Sequence, residues 1–191
     1  MRIVGTINEL TQPIYDTVQV AVAAGAQQVT FFAVPLNGVL AGAALKTYAH
    51  TNLIQAGRLE KGLELTITGL SFYIRNIAAG GAAPSLVDSF AIYDHTSINL
   101  EIGQKSFLRC LASEIPSGGA SLNYFSNIVA AATEFKVNHG LGAHRNIFKL
   151  DHPLVLEDQE SISVIATVNT AIAAVTDIVF VLWGQLTRPV R

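Results

Sequence analysis

Two histidines five positions apart are the side chains in this sequence with the clearest capacity for chemistry. His139 and His144 lie in a glycine-rich stretch, and Asp151 and His152 follow shortly afterwards. Imidazole nitrogens and carboxylate oxygens are common zinc ligands, so these four residues could form a metal site. Their spacing matches neither a helical nor a hairpin ligand pair, and a polar glycine loop is the favoured interpretation. We therefore predict no metal site.

Adjacent aspartate and histidine residues occur twice and could each belong to a serine hydrolase triad. The pairs are Asp94-His95 and Asp151-His152. Adjacent side chains of a strand point to opposite faces, which keeps such a pair from converging on one serine. The sequence also lacks the Gly-x-Ser-x-Gly motif that presents a nucleophilic serine. Surface polar residues are the favoured interpretation, and no catalytic residues are predicted.

The single cysteine and two pairs of glycines complete the set of candidate reactive groups. Cys110 lies in an apolar run, Phe107–Ala112, which is typical of a small buried hydrophobic residue. The glycine pairs Gly80-Gly81 and Gly118-Gly119 are not followed by the lysine and hydroxyl residue of a phosphate-binding loop. We expect no cofactor and no enzymatic activity.

Short apolar runs separated by Gly, Pro, Asn and Ser predict that the chain consists mainly of β-strands. Residues 63–75 alternate apolar and polar side chains, but the apolar positions change phase at Gly69. This change predicts a β-bulge, because one extra residue moves every later side chain to the other face. Residues 97–112 predict two strands joined by a hairpin at Gly103-Gln104, where glycine permits a type II′ turn.

One short helix is predicted after residue 84. Leu86, Phe90 and Tyr93 follow helical spacing, with Ser85 as the N-cap and Asp88 in the first turn. The many strands and few helices favour a sandwich or barrel, since an α/β fold would alternate strands with longer helical patterns.

The final predicted strand is apolar on both faces. Ile178, Phe180 and Leu182 alternate with Val179, Val181 and Trp183. If the first set faces the core, the second set forms an apolar patch that must be covered by a chain segment or a neighbouring subunit. We predict that Trp183 lies at this contact.

The composition suits one domain that takes part in an assembly. The chain has 191 residues, of which 50% are hydrophobic and 14% are charged, and its net charge is -2. Ordinary globular chains have about 25% charged residues, so too few charges are present to cover an isolated monomer. No apolar run reaches the roughly 18 residues of a membrane span, and the first residues do not resemble a secretory signal.

Four segments carry a resemblance to small structural proteins of phage virions, which are similar to single jelly-roll capsid subunits. They are residues 59–72, 98–109, 115–119 and 183–190, within a resemblance that spans residues 28 to 190. It implies an all-β fold. A single jelly roll or related β-sandwich would cover residues 28–191, with one or two short helices in its loops, and an extended segment over residues 1–27 would precede it. Successive jelly-roll strands mostly cross between sheets, so the hairpin at Gly103-Gln104 is expected to be an insertion or to show that the strands are mislabelled.

The resemblance implies a capsid subunit that assembles with itself or with another capsid protein, in the virion after synthesis in the host cytoplasm. A decoration, spike-base or tail component, or a cupin-like or lectin-like sandwich that binds a small molecule, are the alternatives. Whether a lipid layer lies beneath the shell stays open.

Direct binding of nucleic acid is not expected. The first 45 residues contain one basic residue, Arg2, whereas genome-binding arms neutralise phosphates with many. Arg188 and Arg191 could contact an acidic partner, although solvated charges are the favoured interpretation.

Overall fold

Strands account for most of the ordered elements in the computed structural model, which describes residues 7–39, 45–75, 86–116, 122–127, 133–138 and 147–189. The strands are β1 (Ile7–Thr11), β2 (Ile14–Val20), β3 (Gln27–Phe31), β4 (Glu64–Arg75), β5 (Thr96–Ile102), β6 (Lys105–Leu111), β7 (Leu122–Asn127), β8 (Thr133–Asn138), β9 (Phe148–Leu156), β10 (Ile162–Val168) and β11 (Thr176–Pro189). One α-helix, α1 (Leu86–His95), precedes β5, and a 3-10 turn, Ala112–Glu114, follows β6.

Two antiparallel sheets form a sandwich. In the first sheet, β11 pairs with β4, and β4 pairs with β9. The other edge of β11 pairs first with β2 and then with β1, because β11 is long enough to span both. The second sheet has the order β3-β10-β5-β6, and β7 pairs separately with β8.

The connectivity of the sandwich is that of a jelly roll. From β2 to β6 and from β9 to β11, successive strands alternate between the two sheets, except at the β5–β6 connection. The predicted fold class is therefore confirmed. The hairpin at Gly103-Gln104 is also confirmed, but the expectation that it would be an insertion or a sign of mislabelled strands is wrong, since β5 and β6 are neighbours in the second sheet. Gly103 has φ +62°, in the left-handed region that glycine adopts readily.

The predicted β-bulge in β4 is confirmed. Opposite β4, Trp183 pairs with Gly69 and Gly184 pairs with Ile67, so Thr68 is the extra residue. Leu65 and Ile67 before the bulge and Leu70, Phe72 and Ile74 after it are all buried in the core. The bulge thus keeps both halves of a long strand directed at the same interior.

Aromatic contacts join the layers of the core. The rings of Phe31 and Phe180 lie 5.6 Å apart between centroids and connect the two sheets. Tyr93 on α1 packs edge-on against Phe72 at 5.5 Å. Its buried hydroxyl also accepts a hydrogen bond from the Ile74 N–H at 3.3 Å. The helix therefore closes the edge of β4 beyond the end of β9.

The predicted helix forms, but its buried face differs from the expected one. Phe90 is exposed, whereas Ile92 and Tyr93 are buried. Asp88 is also buried, and its carboxylate accepts the N–H groups of Ala173 and Ala174 at 3.1 and 2.8 Å. These bonds attach α1 to the loop between β10 and β11. The predicted cap, Ser85, lies outside the described residues.

Residues 7–27 belong to the sandwich itself. Seven residues of β2 pair with β11, from Val20 opposite Thr176 to Ile14 opposite Leu182. Ile14 and Val20 are buried in the core. In the described part of residues 1–27, the predicted extended segment thus contains two strands of the first sheet, β1 and β2. No helix in the described part of the chain is long and apolar enough to cross a membrane.

The bulge predicts a steep penalty for a side chain at Gly184. A Cβ atom there would lie 2.2 Å from the Thr66 carbonyl oxygen, so the two backbones would have to separate. We expect Gly184→Ala to lower the free energy of unfolding by about 1–3 kcal/mol, as overpacking does elsewhere. Gly25→Ala is the matched control, because nothing lies within 4 Å of its added Cβ. Urea titration measures both; equal effects would contradict this account of the bulge.

Candidate functional site

The four residues that were weighed as candidate metal ligands do not form a cluster in the described part of the chain. His139 and His144 lie outside the described residues. Asp151 and His152 are exposed neighbours on β9, the edge strand of the first sheet. Among the residues whose positions are described, no group of three or more His, Cys, Asp and Glu side chains could hold a metal ion.

The other aspartate and histidine pair lies at the end of the helix. Asp94 and His95 are both exposed on the last turn of α1. The His95 carbonyl accepts the Asn169 N–H at 2.9 Å, which connects this turn to the end of β10. Both glycine pairs, 80–81 and 118–119, lie outside the described residues.

Cys110 faces the sandwich interior from an edge strand. It lies on β6 opposite Ile98 and packs, half-buried, against the core. Burial raises the pKa of the Cys110 thiol to about 11, and the nearby Glu114 carboxylate acts in the same direction. A thiol is nucleophilic only as the thiolate, so this environment suppresses its reactivity.

The final strand has the alternation that its sequence predicts. The core contains Ile178, Phe180 and Leu182. The alternate residues Val179 and Val181 face outward. Both valines are nevertheless buried within one chain, so they need no second subunit to cover them. Trp183 is half-buried, and its indole N–H donates to the buried Ser71 hydroxyl at 2.9 Å.

A loop between β3 and β4 attaches to the free edge of β2. Thr17 N–H donates to the His50 carbonyl at 2.7 Å. Tyr15 N–H donates to Asn52 Oδ1 at 3.0 Å, and the Asn52 amide donates in turn to the Pro13 carbonyl at 2.8 Å. The edge of β2 is thereby covered by residues 50–52.

This loop encloses a groove at one corner of the sandwich, hereafter the corner groove. Its volume is about 440 Å³, and it lies between the β1–β2 turn, residues 48–63 and the end of β11. The buried side chains of Leu53 and Leu59 form part of its lining, whereas Tyr48 and Ile54 are exposed. Arg188, which the sequence favours as a solvated charge, also lines it, as do Arg58 and Glu60. Arg191 lies outside the described residues.

Charge at the corner groove is mixed and solvated. Arg188 Nη2 lies 3.9 Å from Glu60 Oε2, and both side chains are substantially exposed. An exposed ion pair at this distance contributes little to stability. Arg58 is exposed too and adds a second positive charge to the lining. The groove therefore offers an apolar floor beside two accessible guanidinium groups.

A buried ion pair beneath the same loop has no counterpart in the sequence predictions. Lys46 Nζ lies 2.5 Å from Asp16 Oδ1, and the two side chains are 1% and 0% exposed. Asp16 faces inward from β2, opposite Phe180 in the register. The other carboxyl oxygen, Oδ2, accepts the Phe32 N–H at 2.6 Å. This bond holds Phe32 at φ +67°, a conformation that non-glycine residues seldom adopt.

The environment of Asp16 opposes its ionisation. Burial raises the pKa of the carboxyl above its ordinary value. The Lys46 charge and the hydrogen bonds from Lys46, Phe32 and Thr51 act in the opposite direction, but burial is the largest effect. The available sequence signal was a lone aspartate among the inward-facing positions of β2, which are otherwise Ile14, Val18 and Val20. No sequence signal pointed to its partner, Lys46, thirty positions away.

Cys110 offers a direct test of its burial because it is the only cysteine in the chain. With a pKa of about 11 in place of 9.0, its thiolate fraction at neutral pH is about 100-fold smaller than in the unfolded chain. We expect Ellman's reagent to react with the native protein at least this much more slowly than with the urea-unfolded protein. The native rate should rise with pH until the pKa is passed. Equal rates in the two states would contradict the prediction.

Trp183 and Ser71 should be energetically coupled. Trp183→Phe keeps an aromatic ring but leaves the buried Ser71 hydroxyl without the indole donor, which we expect to cost about 1 kcal/mol. Ser71→Ala removes the acceptor instead. In the double variant both groups are absent, so the loss should be smaller than the sum of the two single losses. Urea unfolding followed by circular dichroism measures all four proteins, and strictly additive losses would rule out the coupling.

Comparison with known proteins assigns neither a family nor a function to this chain. No protein-family model, curated protein or solved structure matches the chain.

Proposed function

We propose that this protein is a structural subunit of a viral shell that assembles with copies of itself and with other capsid proteins. The observation that carries the proposal is the number of large apolar side chains on the surface of a jelly-roll sandwich. Ten in the described residues are more than two-fifths exposed: Val22, Val39, Leu45, Tyr48, Ile54, Phe90, Phe107, Leu111, Val155 and Val175. In a chain with 14% charged residues, contacts with other subunits are the means of covering them.

The corner groove supports a contact between two copies. Leu63 lines both this groove and a second groove of about 240 Å³, whose lining also includes Glu64, Glu157 and Asp158. Leu63 therefore lies between a groove lined by two arginines and Glu60 and a groove lined by three carboxylates. Two copies related by a two-fold axis would place the basic side of each against the acidic side of the other.

Charge also favours protein partners over nucleic acid. The net charge of -2 and the single basic residue among the first 45 positions provide little attraction for a phosphate backbone. In this proposal the protein is made in the host cytoplasm and resides in the virion. A decoration, spike-base or tail component would use the same kind of contact surface.

A small-molecule site is the second candidate function, and the corner groove favours it. Its volume of about 440 Å³ falls within the range of about 300–1,000 Å³ that is common for ligand pockets. Apolar lining and two guanidinium groups would suit an anionic ligand with an apolar body. If the groove binds a small molecule, the protein should be a monomer, and substitutions in the groove should abolish ligand binding. In the shell proposal, the same substitutions should abolish assembly.

Sedimentation and negative-stain electron microscopy of the purified chain test the shell proposal. We expect oligomers or particles, and we expect Ile54→Glu to abolish them at subunit concentrations where the wild type assembles, because a charge would be buried at the contact. Val22→Glu is the matched control, since Val22 is similarly exposed but follows the opposite end of β2. Ala24→Glu is a second control, because Ala24 is exposed in the same segment and is not among the ten side chains that the proposal places at contacts. Both variants should leave the corner contact intact, and Ala24→Glu should leave assembly unchanged.

Two outcomes would contradict the proposal. A wild-type chain that remains a monomer of 20.3 kDa at every concentration and salt condition, alone and with co-expressed capsid proteins, would overturn the shell function. Normal assembly of a folded Ile54→Glu variant would overturn the corner contact. Circular dichroism establishes that each variant is folded.

A further inference from the structure

The buried pair of Asp16 and Lys46 holds an amine and a carboxyl group in contact without solvent. Nζ and Oδ1 are 2.5 Å apart, and the side chains are almost fully enclosed. Phe31 and Phe32 at the end of β3 and Phe180 on β11 are fully buried in the same region of the core. An amine that touches one carboxyl oxygen also lies close to the carboxyl carbon, and such proximity is the first requirement for a bond to form between them.

Two backbone hydrogen bonds hold the residue that carries the amine. The Lys46 backbone N–H donates to the Gly38 carbonyl, and the Lys46 carbonyl accepts the Asn37 N–H, both at 2.9 Å. Asp16 is fixed by β2, whose residues pair with β11. Two reactants held by a folded scaffold behave as if one were present at an effective concentration of about 10⁵ M or more, so a reaction that is slow in solution becomes feasible.

The second carboxyl oxygen has a donor suited to an addition reaction. The Phe32 N–H lies 2.6 Å from Asp16 Oδ2. When a nucleophile adds to a carbonyl carbon, negative charge develops on the oxygen, and a preorganised N–H stabilises it. This N–H would therefore lower the barrier to attack at the carboxyl carbon.

The low polarity of the site favours neutral reactants over ions. Two buried charges carry a large desolvation cost that their mutual attraction repays only in part. Burial raises the pKa of Asp16, which favours the carboxylic acid form. A proton passed from Nζ to the carboxyl group within the pair would leave a neutral amine, and the lone pair of such an amine is the nucleophile. The same enclosure excludes the bulk water that would reverse amide formation.

We propose that Lys46 and Asp16 condense to an intramolecular isopeptide bond. The Nζ lone pair attacks Cγ of the carboxylic acid, and a C–N bond forms. The Cγ–Oδ1 bond then breaks, and Oδ1 leaves as water with the acid proton and one proton from Nζ. The amide oxygen is the former Oδ2, still held by the Phe32 N–H, and no oxidant or cofactor is consumed.

The cross-link would fasten the loop between β3 and β4 to the edge of the sandwich. Residues 16 and 46 enclose β3 and the first half of that loop, and the loop also forms one wall of the corner groove. A covalent link across this span constrains the unfolded chain, as a disulfide does. The bond lies within one chain and does not depend on the proposed function.

Mass spectrometry of the denatured chain tests the proposal. We expect the intact mass to fall below the mass calculated for the linear chain by the mass of one water molecule. Proteolysis should yield a branched peptide that contains both Asp16 and Lys46. Lys46→Arg keeps a positive charge but removes the amine, so this variant should show no loss of water. Lys61→Arg is the matched control, because Lys61 is exposed on another part of the same loop, and it should retain the loss.

Mass spectrometry measures single unfolded chains, so it detects the isopeptide bond whether or not the protein assembles. A wild-type mass equal to that calculated for the linear chain, together with separate linear peptides for Asp16 and Lys46 after prolonged incubation of the folded protein, would overturn the proposal. So would a water loss that persists in Lys46→Arg. If Lys46→Arg does not fold, the peptide map of the wild type alone is decisive.

Discussion

The pairing of β11 with strands on both of its edges is the interaction on which the rest of the structure depends. One edge pairs with β4 over nearly its full length, and the other pairs with β2 and then with β1. Without β11, neither β1 nor β2 would be paired to the rest of the first sheet. Its partner β4 is also long, and the bulge at Thr68 in β4 keeps Leu65 and Phe72, on either side of it, directed into the same core.

The free edge of β2 is the next constraint, because an unpaired edge exposes backbone donors and acceptors to other chains. The loop that follows β3 covers it with hydrogen bonds to Tyr15 and Thr17, and the Asp16–Lys46 contact anchors the same loop from the inside. Covering the edge also creates the corner groove, since the loop must leave β2 again to enter β4. The same loop therefore stabilises the edge of the first sheet and shapes the corner groove.

The buried and the exposed apolar side chains lie in different parts of the sandwich. The valines on the outer face of β11 are buried by the chain itself, although their sequence favoured an inter-subunit position as strongly as an internal one. The exposed apolar residues lie elsewhere, at loops and edges such as Tyr48, Ile54 and Phe107. A proposed role in assembly therefore concerns the corner and the sheet edges more than the final strand.

Local periodicity determined much of the fold from the sequence alone: the all-β class, the bulge at Gly69, the hairpin at Gly103 and the inward face of β11 all follow from spacings of two residues and from turn chemistry. Tertiary structure alone decided which face of α1 is buried, because Asp88 binds a loop 85 residues away. It also decided that Asp16 meets Lys46 and that Arg188 lines a groove with Arg58. Such contacts join residues distant in sequence, and no local pattern encodes a partner that only the folding of two sheets onto each other brings within reach.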